Sequence, residues 1–172
     1  MKVVILDTSA FIQGFNPSNS TEQYTTHLVY LEIHDELAKL RYEGARSSGI
    51  LQERTPSIES LHQVEEASKK FGEAHILSQT DKQILALALD LKKEGKEPLI
   101  VTEDYSIQNM SQKLDLSFQA RGTRGIRKEI QWIIYCPGCK KRFEVPQVDG
   151  VCIICGTPLK RKPFKPYQRF KF

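Results

Sequence analysis

The residues of this chain that could do chemistry are a set of carboxylates and a set of thiols. Asp7 follows the apolar run Val3-Val4-Ile5-Leu6, and Asp104 follows Pro98-Leu99-Ile100-Val101-Thr102 with only Glu103 between. Short runs rich in β-branched residues predict strands buried on both faces, the pattern of a parallel sheet. Open α/β sheets place their ligands at the carboxyl ends of such strands. Asp81 falls at the start of a predicted helix, and Glu32 lies on another. Carboxylates grouped with few neutralising partners repel one another and call for a hard cation. Mg²⁺ or Mn²⁺ held this way activates water and stabilises an in-line phosphoryl displacement. Each acid also has a plainer explanation. Asp81 with Ser78 matches a capping box, Asp104 suits a helix N-cap, and Glu32 suits a solvated helix position that Asp35 or Glu36 could fill instead. Asp7 resists a plain explanation most, because it ends a buried strand.

The thiols are Cys136-Pro-Gly-Cys139 and Cys152-Ile-Ile-Cys155. Two Cys-x-x-Cys hairpins offer four thiolates, the donor set of a closed tetrahedral Zn²⁺ site, one ion per chain. A redox Cys-x-x-Cys explains one pair but not two. Four thiolates leave no open position, so no reaction is expected at this ion. Gly138 and Gly156 supply the sharp turns, and Trp132, Ile133, Tyr135, Phe143, Val145 and Val151 favour a small antiparallel β unit around them. The histidines His27, His34, His62 and His75 show no pairing that suggests a metal site or a nucleophile–base dyad.

These groups need elements to position them. The patterning predicts a short helix over Ser9–Gln13, a loop over Gly14–Ser20, an extended piece at Tyr24–Thr26 and a helix over His27–Arg41. A strand over Leu51–Thr55 follows, then a helix from Ile58 that stops at Gly72 and a short strand over Ala74–Leu77. Next come a Leu- and Ala-rich helix over Lys82–Lys93, the strand ending at Thr102, a helix over Tyr105–Lys113 and a last strand over Leu116–Phe118. Strands alternating with helices imply a parallel sheet covered on both faces.

Charge divides the chain. Residues 1–118 hold 12 Lys and Arg against 18 Asp and Glu, whereas residues 119–172 hold 13 against 3. An acidic body with a basic arm suggests a polyanionic partner held by the arm. Apolar runs are too short to span a membrane, and a strand begins directly after Met1-Lys2, so a soluble cytoplasmic protein without a signal peptide is expected.

Taken together, Val-Ile-Leu-Asp7-Thr-Ser-Ala, Glu32, Leu-Ser-Gln-Thr-Asp81 before a Leu/Ala helix, and Leu-Ile-Val-Thr-Glu-Asp104-Tyr-Ser resemble a PIN domain. With a basic Arg/Gly linker and a four-cysteine ribbon after it, the whole chain is similar to the Nin-one-binding protein family. The resemblance implies an α/β/α sandwich with a central parallel sheet plus a small β-rich zinc ribbon. It divides the chain into a nuclease domain over 1–118, a linker over 119–129, a ribbon over 130–159 and a basic-aromatic tail over 160–172. It implies a metal-dependent endoribonuclease that forms the mature 3′ end of small-subunit rRNA. Partners would be the precursor rRNA, the pre-ribosomal small subunit and other assembly factors, with no membrane. The family's acids map to Asp7, Glu32, Asp81 and Asp104, with Thr8, Ser9, Ser78 and Thr102 beside them to bind metal-linked water or phosphate. RNA phosphates are expected at Arg121, Arg124, Arg127, Lys140, Lys141, Arg142, Lys160, Arg161, Lys162, Lys165 and Arg169, with Tyr167 available for stacking. Two rival readings are an RNA-binding assembly factor with little intrinsic cleavage and a toxin-type PIN ribonuclease.

Overall fold

The structure, a computed structural model, describes residues 1–15, 21–120, 132–143 and 150–163. The chain divides into two compact units, Met1–Arg127 and Lys128–Phe172.

The first unit is built on a five-stranded sheet. At its centre β1 (Lys2–Leu6) pairs in parallel with β4 (Glu97–Val101), from Lys2 opposite Glu97 to Leu6 opposite Val101. β2 (Glu22–Thr25) and β3 (Leu51–Glu53) extend the sheet on one side and β5 (Ser117–Gln119) on the other, all in parallel. The order β3-β2-β1-β4-β5 means that the chain moves outward from β1, then crosses back to β4 on its other flank. That reversal opens a crevice at the carboxyl ends of β1 and β4, where α/β sheets bind ligands.

Six helices surround the sheet among the described residues: α1 (Thr8–Ile12), α2 (His27–Glu32), α3 (Glu36–Ser47), α4 (Ile58–Lys70), α5 (Gln79–Lys93) and α6 (Tyr105–Lys113). α5 is the central one. Ile84 to Leu91 is buried along its whole length, and the helix packs on β1, β4, α2, α4 and α6. Buried apolar residues on β1, β4 and α5 are therefore the main source of the unit's stability. None of these helices is long and apolar enough to cross a membrane.

Two elements of the first unit differ from the sequence expectation. The helix expected over His27–Arg41 is two helices. Ile33 leaves helical geometry at ψ 114°, and the Asp35 side chain caps α3 by accepting the Ala38 N–H at 2.7 Å. An Asp competes better as a cap than as a helix interior residue, so the chain breaks there. The break also turns the apolar register. Leu31, Leu37 and Leu40 are 58–64% exposed, while Val29, Ile33, Ala38 and Tyr42 are buried. The second difference is Ala74–Leu77, which is a turn rather than a strand. Gly72 ends α4 with φ +72°, and the Glu73 carbonyl accepts the Ile76 and Leu77 N–H groups.

In the second unit, β6 (Trp132–Tyr135) lies between β7 (Arg142–Phe143) and β8 (Lys160–Pro163), all antiparallel. The antiparallel β unit expected around the cysteines is present. Lys160–Pro163, expected as the start of the tail, instead form a strand, because Tyr135 and Trp132 offer them a ladder to pair with. The basic residues Arg121, Arg124, Arg127, Lys165 and Arg169, with Tyr167, lie outside the described residues.

Candidate active site

Asp7 is the centre of the crevice. It follows β1, is 4% exposed, and caps α1 by accepting the Thr8 N–H on Oδ1 at 2.7 Å. Its other oxygen, Oδ2, accepts the hydroxyls of Ser9 at 3.0 Å and Thr102 at 2.8 Å. Each hydroxyl in turn accepts a backbone N–H from the loop after β4, Ser9 from Glu103 and Thr102 from Asp104. Two hydroxyls thus tie the ends of the two central strands to one carboxylate.

Asp104 caps α6 by accepting the Ser106 N–H and is exposed to the crevice. Asp81 sits in the first turn of α5. Its carboxylate accepts the Ser78 N–H at 2.8 Å while Ser78 Oγ accepts the Asp81 N–H, a complete capping box. Glu32, the last residue of α2, accepts the Thr8 hydroxyl at 2.9 Å. Of the three acids in that stretch, Glu32 is tied to the Asp7 loop, whereas Asp35 is occupied as a helix cap.

The plain and the chemical explanations of these acids coexist. Asp7, Asp81 and Asp104 all cap helices, and they also feel one another. Burial pushes the Asp7 carboxyl above its ordinary value against three hydrogen bonds, and the charge on Asp104 pushes the same way. Burial, with the charges of Asp104 and Asp7, pushes Asp81 up to about 6. Among the described residues none of the four acids forms an ion pair with Lys, Arg or His. Hard oxygen donors such as these, with two of the carboxyls, Asp7 and Asp81, pushed up by burial and by neighbouring acid charge, suit a hard divalent ion. Among the described residues the four cysteines, and not these acids, are drawn together closely enough for one ion as they stand.

The sequence reading passed over the layer behind these acids. Gln108 is fully buried on α6 and donates to the Thr102 carbonyl at 3.1 Å. Glu73 is fully buried in the turn before α5, where it accepts Asn109 Nδ2 at 2.6 Å and pairs with Lys113 at 3.6 Å. Spacing offered no signal for them, because Gln108 and Asn109 lie off the helix face of Ile107 and Met110 and are buried only because α6 is covered all round.

The cysteines form the other centre. Among the described residues they are the group of His, Cys, Asp or Glu ligands drawn together closely enough for one ion, with all four Sγ atoms within 4.8 Å of one another. Sγ–Sγ separations are 3.4 Å for Cys136–Cys155 and 3.6 Å for Cys139–Cys152. A tetrahedron with metal–sulfur bonds of about 2.3 Å has edges of about 3.8 Å, so the cage has the right size for a zinc-like ion. The two knuckles repeat one geometry: the Cys136 carbonyl accepts the Lys140 N–H, and the Cys152 carbonyl accepts the Gly156 N–H. Gly138 is required, because a Cβ there would meet Thr157 Oγ1 at 2.7 Å. Thr157, through its side chain and backbone, holds the Cys155 thiol down to about 6, which favours the thiolate a metal needs. Lys140, Lys141, Arg142, Lys160, Arg161 and Lys162 are all exposed on this unit.

Comparison with known proteins agrees with this architecture. Residues 4–91 match the family model described as PIN domain of ribonuclease. The chain is 41% identical to Endoribonuclease Nob1 of Methanocaldococcus jannaschii over 96% of its own length and 80% of that protein's. It is 38% identical to Endoribonuclease Nob1 of Pyrococcus abyssi over 93% of each. It is also 39% identical to Ribonuclease VapC1 of Thermoplasma acidophilum, over 92% of this chain and 77% of that one.

Proposed function

This chain belongs to the PIN-domain ribonuclease family, among the endoribonucleases named Nob1, and on that footing we propose that it cuts precursor small-subunit rRNA at the mature 3′ end. The observation that supports the reading is the placement of Asp7 and Asp104 after the neighbouring strands β1 and β4 and of Asp81 in the first turn of α5, with the Asp7 and Asp81 carboxyls pushed up by burial and by neighbouring acid charge and, among the described residues, no Lys, Arg or His paired to any of the three. One or two Mg²⁺ or Mn²⁺ ions bound there supply Lewis-acid activation of water and neutralise charge on the phosphoryl group.

The chain's own residues set the geometry for that step. Asp7, held on both oxygens, is the fixed ligand. Asp104 and Asp81 are the more exposed ligands that complete the site from the opposite strand and from α5. Thr8 holds Glu32, Ser9 and Thr102 hold the Asp7 carboxylate, and Ser78 holds that of Asp81. The cysteine cage holds one structural Zn²⁺. The partner is the pre-ribosomal small subunit, with its assembly factors, in the cytoplasm.

The test is cleavage of an RNA spanning the mature 3′ end of small-subunit rRNA, in Mn²⁺, Mg²⁺ or EDTA, by wild type and Asp7→Asn. A single cut at that end, dependent on metal and at least about 10²-fold slower in Asp7→Asn, is expected. A cut that persists in EDTA or in Asp7→Asn removes the mechanism. Likeness to a VapC ribonuclease favours one second reading, cleavage of several unrelated RNAs, which a map of cut sites on total RNA separates from the first.

A further inference from the structure

Tyr105 follows Asp104 directly and is the first residue of α6. It is 51% exposed, whereas the other Phe and Tyr side chains described in the first unit are buried or half-buried. Among the described residues it forms no hydrogen bond, ring contact or ion pair. Its root is fixed nonetheless. Asp104 caps the helix through the Ser106 N–H, Ile107 to Ser111 are buried, and Gln108 donates to the Thr102 carbonyl. Burial does not account for this ring, since half of the residue stays in water and its hydroxyl has no partner among the described residues. One other exposed apolar residue adjoins a site acid: Leu31, 58% exposed, precedes Glu32. Leu31 is aliphatic, so the two positions differ in what they can hold.

We propose that Tyr105 is a substrate-binding residue whose ring stacks on the unpaired base next to the scissile phosphate, so that the cut falls beside a base free to leave its neighbours. This rests on the reading of the chain as a ribonuclease and names how the same site selects its phosphodiester. Carboxylates act on a phosphate, and one phosphate of an RNA is like the next, so selection must come from a contact to a base. Charge does not hold the strand there either. Among the described residues no Lys, Arg or His pairs with the four acids, and Lys82, beside Asp81, stands 3.7 Å from Glu65. A neutral ring binds RNA beside carboxylates without adding to the charge, and an aromatic face holds an unpaired base whatever its identity. A ring rooted one Cα step, about 3.8 Å, from Asp104 reaches the nucleotide next to a phosphate held there. A base inside an A-form duplex is stacked on both faces and offers the ring neither. The site therefore selects by RNA structure at the cut rather than by the letter.

The test is Mn²⁺-dependent cleavage by the full chain of an RNA spanning the mature 3′ end of small-subunit rRNA. Three forms of that RNA are compared: unmodified, with one abasic residue on the 5′ side of the scissile phosphate, and with one on the 3′ side. Tyr105→Leu is expected to lower kcat/KM on the unmodified RNA about tenfold, with Tyr105→Phe and Leu31→Ala close to wild type and helical circular dichroism the same in all. One of the two abasic RNAs should slow wild type by the same factor and slow Tyr105→Leu no further, because a stacked pair is lost once and not twice. An abasic effect of equal size in wild type and Tyr105→Leu overturns the inference. So does a Tyr105→Phe as slow as Tyr105→Leu, or a Leu31→Ala that matches it. Should Tyr105→Leu lose helix, wild type alone decides, because a chain that stacks no base cuts both abasic RNAs at the unmodified rate. Failure of the nuclease reading would appear differently, as absence of cleavage of all three RNAs by wild type.

Discussion

Asp7 Oδ2 must be an acceptor. The Ser9 and Thr102 hydroxyls each receive a backbone N–H, from Glu103 and Asp104, so both have their protons left for the carboxylate. Thr102→Val keeps the shape of that side chain but removes a donor from Asp7 and the acceptor of the Asp104 N–H. It is expected to cost about 1–3 kcal/mol in urea unfolding and to raise the Mn²⁺ concentration for half-maximal cleavage. Unchanged Mn²⁺ dependence would mean that Thr102 serves stability alone. Asp81 gives a pH prediction. Its carboxyl is pushed up from an ordinary 3.8 to about 6, so the folded chain binds that proton more tightly than the unfolded chain. The resulting stability is complete below about pH 4 and is lost as the pH rises to about 6. In metal-free buffer, wild type should therefore lose stability relative to Asp81→Asn across that window, and saturating Mn²⁺ should remove the difference. Parallel curves for the two proteins from pH 4 to 7 would contradict the geometry. The positions of Asp7 and Asp104 beyond the ends of β1 and β4 were legible from the apolar runs that precede them. Glu32 was not separable from Asp35 and Glu36, because the choice depends on Thr8, which is 24 residues away.

Elements with one strong signal read correctly from the sequence. The runs of β1 and β4 and the Leu/Ala face of α5 are buried as their patterns require. The helix over His27–Arg41 did not, because its leucines kept an approximate helical spacing while Asp35 was placed to cap, and local capping outweighed the pattern. The turn over Ala74–Leu77 failed for a tertiary reason: buried Glu73 anchors it to α6 through Asn109 and Lys113. That anchor joins the segment leading to Asp81 with the helix capped by Asp104. Lys113 and Glu73 are 4% and 0% exposed, so removing one charge strands the other. Lys113→Met is expected to cost about 3–5 kcal/mol in chemical denaturation, and adding Glu73→Gln should recover much of it, because replacing both partners of a buried pair is often nearly neutral. Additive losses in the double variant would show that the two residues act independently.

At the scale of the whole chain, the two units are stabilised by different means. Met1–Arg127 has a continuous apolar core over β1, β4 and α5. In the second unit, the buried residues among those described are Cys136 and Cys152, so its core is the four-cysteine cluster. A zinc ion held by the four thiolates would contribute on the order of 10 kcal/mol, all of it to that unit. The cysteine spacing made the four-thiol cluster legible, whereas the strand at Lys160–Pro163 was hidden by a composition that reads as a tail. Releasing zinc with a mercurial should shift the fluorescence of Trp132, the chain's one tryptophan, toward that of the unfolded state. Helical circular dichroism should persist, because every described helix lies in the first unit. Mn²⁺-dependent cleavage of a short unstructured RNA should survive at saturating substrate, while affinity for long RNA and its salt dependence fall. Loss of helix along with zinc would instead mean that the nuclease unit depends on the ribbon to fold, and the separation of roles between the acidic body and the basic arm would have to be abandoned.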